Sequence, residues 1–214
     1  PAPEDATSPV WAGRVAARAD ALAADDEAFF SISHRPEPRV LVLYWDASFF
    51  RAGKGGWFLR ELFGGSRETL VGRDADFLEA ARWAEADLTR YGTVLLADAS
   101  RPAPGLAVAL ERFVSRGAGV WFVPSARASS SDLAAYSWLP VRIGAPEMPD
   151  SPRGVRPVRE GAALAGWGEL ELSRVSILRR FHLEPAPGAE IWAVDAGGSP
   201  LLIAGAVGRG RAVV

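Results

Sequence analysis

The sequence predicts an α/β domain built on a parallel sheet, led in by a β-hairpin and finished by a β-rich extension. Three observations carry that expectation. Continuous apolar runs occur at 39–45 (RVLVLYW), 92–98 (GTVLLAD) and 118–124 (AGVWFVP), the pattern of strands buried on both faces. Segments of helical character lie between them, and strand–helix alternation from residue 39 to about 139 gives right-handed crossovers and parallel neighbours. Beyond residue 140 prolines and glycines crowd the chain before further strand patterns begin.

Residues 1–9 (PAPEDATSP) are a proline-rich, polar lead-in. Alternation through Val10, Ala12 and Arg14, and again through Ala28, Phe30 and Ile32, predicts two strands joined by an acidic loop. The alanines also allow a short helix over 12–24. HRPEP (34–38) is a linker, which divides the chain into a lead-in and β-hairpin (1–36) and an α/β domain (37–214).

Within that domain the first strand is bounded by Pro38 and Asp46, and GWFLRELFG is a short helix ended by Gly64–Gly65. ADFLEAARWAEADLTR (75–90) places Phe77, Ala81, Ala84 and Leu88 at helical spacing with Asp74 as N-cap. PGLAVALERFVSRG (104–117) is a helix with Pro104 at its start and Gly117 as C-cap. Ser129–Ser131 cap a further helix after the third strand. In the last third, 169–184, 190–195 and 199–207 read as strands. Gly197–Gly198 makes a hairpin turn, and GRGR a second one before AVV.

Bulk properties narrow the function. At 214 residues with 49% apolar and 23% charged residues, the chain has the composition of a folded domain. A formal charge of −2 with scattered arginines, and Lys54 the single lysine, gives no basic stripe for nucleic acid. The absence of cysteine excludes disulfides, thiolate metal sites and a cysteine nucleophile. No apolar run approaches the roughly 18–20 residues of a membrane span. The chain begins without methionine and stops inside an apolar run, so the reading is of a piece of a longer protein with its anchors outside.

LAADDEAFFSISHRPEPRVLVLYWD resembles the junction where a small β-sandwich meets an α/β domain in Bat-type, aerotolerance-operon-like bacterial membrane proteins. YGTVLLADASRPAPGLAVALERFVSRGAGVWFVPSARASSSDLAAYSWLPVRIG looks like the core of their class I glutamine amidotransferase-like domain. GSPLLIAGAVGRGRAVV is similar to the closing hairpin of that superfamily, also seen in trehalose-utilisation-like relatives. The resemblance covers residues 20–214. It implies a three-layer flavodoxin-like domain in a membrane-anchored parent protein, extracytoplasmic, with von Willebrand A-type domain proteins or other Bat-type components as partners. It also implies an elbow after a strand, which members of the class fill with a cysteine paired to a His-x-Glu motif. That elbow falls at Ser125–Ala126, where no cysteine stands.

FHLEP supplies His182-x-Glu184, so Ser125, His182 and Glu184 could make a serine triad of an amidase or esterase. Against that, a strand puts i and i+2 on one face, so the spacing arises trivially. Pro124 and Ala126 also replace the glycines of a nucleophile elbow. RAGKGGW (51–57) places Lys54 before its glycines and lacks the hydroxyl that a phosphate loop needs. Asp46, Asp98 and Ser125 each follow a buried strand and, with Arg127, would line the crevice where open α/β sheets bind ligands. Two carboxylates without histidine make a weak metal site, so no metal or cofactor is expected. Trp45 and Trp121 are expected in the core, and Trp57 and Trp138 at the surface as part of a protein-partner surface. The preferred expectation is a non-catalytic interaction or ligand-sensing module with a degenerate amidotransferase-like site.

Overall fold

The three apolar runs become neighbours in the middle of one sheet. The computed structural model describes residues 10–16, 27–33, 39–51, 55–64, 75–158, 172 and 175–214. Two units divide at residue 38, and each is described by itself. In the first, β1 (Val10–Ala16) and β2 (Glu27–Ser33) pair antiparallel, Val10 opposite Ser33 and Ala16 opposite Glu27. Gly13 packs under the exposed Phe30 ring, which would have to shift to admit a side chain there. The acidic stretch 17–26 lies outside the described residues.

The second unit runs β3 (Arg39–Tyr44), α1 (Gly55–Gly64), β4 (Ala75–Glu79), β5 (Tyr91–Ala99), α2 (Leu106–Ser115), β6 (Gly119–Pro124), α3 (Ser130–Leu133), β7 (Val141–Glu147), β8 (Val155–Pro157), β9 (Arg180–Pro185), β10 (Glu190–Asp195), β11 (Pro200–Val207) and β12 (Gly210–Val213). Eight of these strands form one sheet in the order β4-β3-β5-β6-β12-β11-β10-β8. Pairing is parallel from β4 through β12 and antiparallel beyond it. β7 and β9 form a separate antiparallel pair. No described helix is long and apolar enough to cross a membrane.

Register assigns the apolar residues to two faces. Val42, Leu95, Trp121, Val213 and Ala204 stand in one row across the sheet. The neighbouring row on the opposite face holds Leu43, Leu96 and Phe122. That second face is closed by Leu106, Leu110, Phe113 and Val114 of α2, by Leu133 of α3 with Tyr136 after it, and by Val141 and Leu183 of the β7–β9 pair. On the first face α1 lays Leu59 and Phe63 over Val40, Val42, Leu95 and Ala97. Trp192, Ala204 and Val213 form a second cluster further along. Between them β6 leaves Trp121 43% and Val123 46% exposed, so Trp121 is a surface residue rather than the core residue its apolar run predicts. Trp138 departs the other way: it is half-buried and packs against the main core.

Three further expectations are corrected. Residues 75–90 are not a helix: 75–79 are β4, followed by the 3-10 turns Ala80–Glu85 and Leu88–Arg90. Ala75 and Phe77 pack into the α1-side cluster while Leu78 packs into the main core. Strand pairing therefore outweighs the helix propensity of the alanines. Asp76 pins the strand, accepting from Arg39 Nη2 at 2.8 Å and from the Tyr91 hydroxyl at 2.6 Å. Asp74, the expected cap, lies outside the described residues. Of the long strand expected over 169–184, the described residues show β9 at Arg180–Pro185 and an isolated bridge from Ile177 to Arg153, while 169–171 and 173–174 lie outside the described residues. The proline- and glycine-rich stretch from 140 contains β7 and β8, which the sequence reading leaves as irregular chain.

Candidate functional site at the strand ends

The C-terminal ends of the parallel strands bring together the loops after β3, β5 and β6. Chain order reverses between β3 and β5, because β4 flanks β3 on one side and β5 on the other. Ligand crevices of open α/β sheets form at such a switch point. Asp46 follows β3, Asp98 lies near the end of β5, and Ser125 and Arg127 follow β6.

Ser125 is buried and its polar atoms are occupied. Its N–H donates to Ala99 O at 2.7 Å, its carbonyl accepts from Ala128 N at 2.9 Å, and its Oγ accepts from Arg127 N at 3.3 Å. This is a hydroxyl-stabilised turn that ties the end of β6 to the end of β5. His182 is elsewhere. It stands on β9, 54% exposed, with Nδ1 3.3 Å from Glu147 Oε1 and Nε2 3.4 Å from Glu184 Oε1. Both carboxylates have arginine partners, Arg180 for Glu147 at 3.1 Å and Arg142 for Glu184 at 3.4 Å. Strand alternation accounts for the separation. Phe181 and Leu183 share a cavity of about 320 Å³ with Pro124 and Ala126 beside the corner, whereas His182 and Glu184 occupy the alternate positions of β9. Among the described residues no hydrogen bond joins Ser125 to His182 or Glu184.

The two aspartates behave differently. Asp46 caps the turn after β3: Oδ1 accepts from Ser48 N at 2.8 Å and Oδ2 from Ser48 Oγ at 2.7 Å. Those bonds, aided by the charges of Arg127 and Arg51, hold its carboxyl below the usual carboxylate range. Asp98 makes no hydrogen bond or ion pair among the described residues, and it is the one described non-glycine residue with positive φ, +59°. The cause is a bulge. Leu96 pairs with Phe122 and Ala99 with Pro124, so β5 spends two residues where β6 spends one, and Asp98 takes the left-handed conformation.

Sequence reasoning missed the belt that joins these loops. Trp45 Nε1 donates to Arg101 O at 2.9 Å, linking the ends of β3 and β5. Arg101 Nε donates to Asp132 Oδ1 at 2.8 Å, linking both to α3. Asp132 is fixed in turn by a capping box with Ser129, and Tyr136 donates to Ser100 O at 3.3 Å. Only the cap had a sequence signature, S-x-x-D; the partners of Trp45 and Arg101 are 56 and 31 residues away. Among the described residues no group of histidines and carboxylates could hold a metal ion.

No protein-family model matches the chain. No curated protein matches it either. Solved structures do. A cytoplasmic protein from Salmonella typhimurium LT2 aligns at TM-score 0.58 and 13% identity, covering 96% of this chain and 83% of that one. A protein from Bacteroides uniformis described as ThuA-like aligns at TM-score 0.58 and 14% identity, covering 83% and 80%. A β-galactosidase from Bacillus circulans sp. alkalophilus aligns at TM-score 0.55 and 17% identity over 84% of this chain, which spans only 28% of that enzyme. The likeness is one of fold. It corrects the Bat-type resemblance, because these neighbours are ThuA-like and cytoplasmic proteins that share the α/β architecture without any Bat-type member among them.

Proposed function

We propose that the chain is a non-catalytic binding module, of the amidotransferase-like subdivision of three-layer α/β folds, whose strand-end corner has no acyl-transfer chemistry. The observation that carries this reading is the state of Ser125. A hydroxyl nucleophile needs a base within hydrogen-bond reach, and Ser125 Oγ is engaged by a backbone N–H in a buried turn while His182 sits between two glutamates. Self-satisfied bonding extends through the belt: Asp46, Asp132, Trp45 and Arg101 all use their polar groups to hold loops. Support for a module also comes from the β-galactosidase, in which a similar fold makes up a minor part of a longer chain.

Hydrolysis assays test this. Wild type, Ser125→Ala and His182→Ala are each offered a p-nitrophenyl ester and glutamine. The expected result is background turnover for all three with both substrates. Turnover above background that both substitutions abolish would overturn the reading.

A further inference from the structure

The row of apolar residues that crosses the first face of the sheet is covered at its two ends and open in the middle. Beside α1 that opening deepens into a cavity of about 540 Å³, lined by Phe49, Leu59, Phe63, Leu95, Trp121 and Val123, with Val40, Ala97, Gly55 and Thr93 completing it. The floor is β3, β5 and β6; the wall is α1 and the Phe49 turn. Trp121 and Val123 form the open side.

We propose that this cavity is a binding site for a compact, neutral, largely apolar small molecule carrying at most one polar atom. The inference deepens the reading of the chain as a binding module and rests on it. Size comes first: about 540 Å³ lies within the range of small-molecule pockets, roughly 300–1,000 Å³. Charge is the second constraint. Among the described residues no charged side chain lines the cavity. Among the described residues Arg60 of α1 lies over the Phe50 ring at 4.6 Å and Arg211 of β12 over the Trp192 ring at 5.7 Å, so both are committed to aromatic faces. An anionic ligand would lose its hydration and gain no partner, so the occupant is neutral. The third constraint is polar. Thr93 carries the one hydroxyl of the described lining, and that hydroxyl has no hydrogen-bond partner among the described residues, so it is free to orient one oxygen or nitrogen of the guest, while the Trp121 indole lies on the open, solvent-facing side.

The lining argues against larger occupants. The backbone groups of β5 and β6 on the floor are spent in parallel pairing, so an extended peptide would find no hydrogen-bond partners there.

The test uses N-phenyl-1-naphthylamine, a neutral fluorescent probe, and 8-anilinonaphthalene-1-sulfonate, which keeps the same ring skeleton but adds a sulfonate. Expected is saturable one-site binding of the neutral probe with energy transfer from tryptophan. The sulfonate should bind at least about tenfold more weakly, a difference equal to about 1.4 kcal/mol. Val123→Arg, at an exposed position, should weaken the neutral probe by about tenfold or more while the melting temperature holds. Trp121→Ala supplies a second exposed variant with the same expected loss should the arginine disturb folding. Thr93→Val should remove the preference for 2-naphthol over naphthalene. Equal binding of both anilinonaphthalenes, unchanged binding in Val123→Arg and Trp121→Ala, or no saturable binding below about 100 µM would each overturn the proposal. So would a dimer by sedimentation in which Trp121 is shielded from iodide, since the groove would then be a self-interface. None of these readouts depends on hydrolysis, so the two proposals fail separately.

Discussion

Phe122 and Trp121 are neighbours on one strand, yet they live in different environments. Phe122 is 2% exposed and meets the Tyr136 ring edge-on at a centroid distance of 4.7 Å; Trp121 points to the other face and is 43% exposed. The two faces of the sheet differ accordingly. One is sealed by two helices and a β-pair, the other, among the described residues, by α1 and the Phe49 turn at one end and the Trp192 cluster at the other, with an apolar opening over β6. A tight face specifies the fold, while apolar surface left open beside a cavity is surface available to a ligand.

The sharpest way to break this comparison is truncation on both faces of β6. Phe122→Ala should cost about 3–5 kcal/mol in urea unfolding, and Trp121→Ala within about 1 kcal/mol. Equal losses would mean that the two faces are equally closed. A comparable loss is expected at Asp195, the fully buried carboxylate at the end of β10. Burial alone would raise its pKa, but N–H donors from Ser199 and Gly197 and the Arg180 and Arg153 guanidiniums outweigh that and lower it. Its folded pKa lies below the unfolded value, so the stabilisation is present at neutral pH and disappears as pH falls through and below the ordinary carboxylate range. Asp195→Ala should cost about 3–5 kcal/mol near pH 7 by taking from Arg180 the buried one of its two carboxylate partners and from the Gly197 and Ser199 N–H groups their acceptor, and flatten the acid limb of a stability-versus-pH curve. An unchanged acid limb would remove Asp195 from the account.

Smaller effects test the seal over the closed face. Ser129→Ala removes the capping box of α3 and should cost about 1 kcal/mol, read as a lower urea midpoint. Asp98→Gly relieves a left-handed conformation and should be neutral or stabilising by up to about 1 kcal/mol, whereas Asp98→Ala should destabilise. If alanine and glycine behave alike there, the bulge is not holding strain.

How much of this was legible in the sequence follows from what each signal reports. Apolar runs at 39–45, 92–98 and 118–124 exposed β3, β5 and β6 because parallel strands surrounded by other strands need no polar alternation. The same signal misplaced Trp121, since it says that a strand is apolar on both faces and not that both faces are covered. β4 was hidden by alanines and charges suited to a helix, and became a strand through Phe77 packing and the Asp76 clamp. β7 was hidden by Gly144 and Pro146. Its pairing with β9 breaks register between Ile143 and Pro146, which is how a short edge strand accommodates proline. At the candidate site, Ser125 and Asp46 were correctly placed after strands, but their partners were set by loop contacts that leave no local pattern. His182-x-Glu184 shows the converse: its spacing matches a motif that any strand can produce, and its described partners are Glu147, Arg142 and each other.

The position of β12 has a consequence for how the chain reaches its native state. The strand lies between β6 and β11, with Arg211 opposite Gly119 and Ala212 opposite Val120, so the middle of the sheet is filled by the element that comes last in chain order. Gly210, at its start, fits against the carbonyls of Val114 and Ala118 with no room for a side chain. During synthesis β3 to β6 emerge first with the hydrogen-bonding edge of β6 unpaired, and that edge stays open until the closing hairpin of β11 and β12 arrives. Such long-range closure slows folding and keeps an adhesive strand edge available to other chains in the meantime.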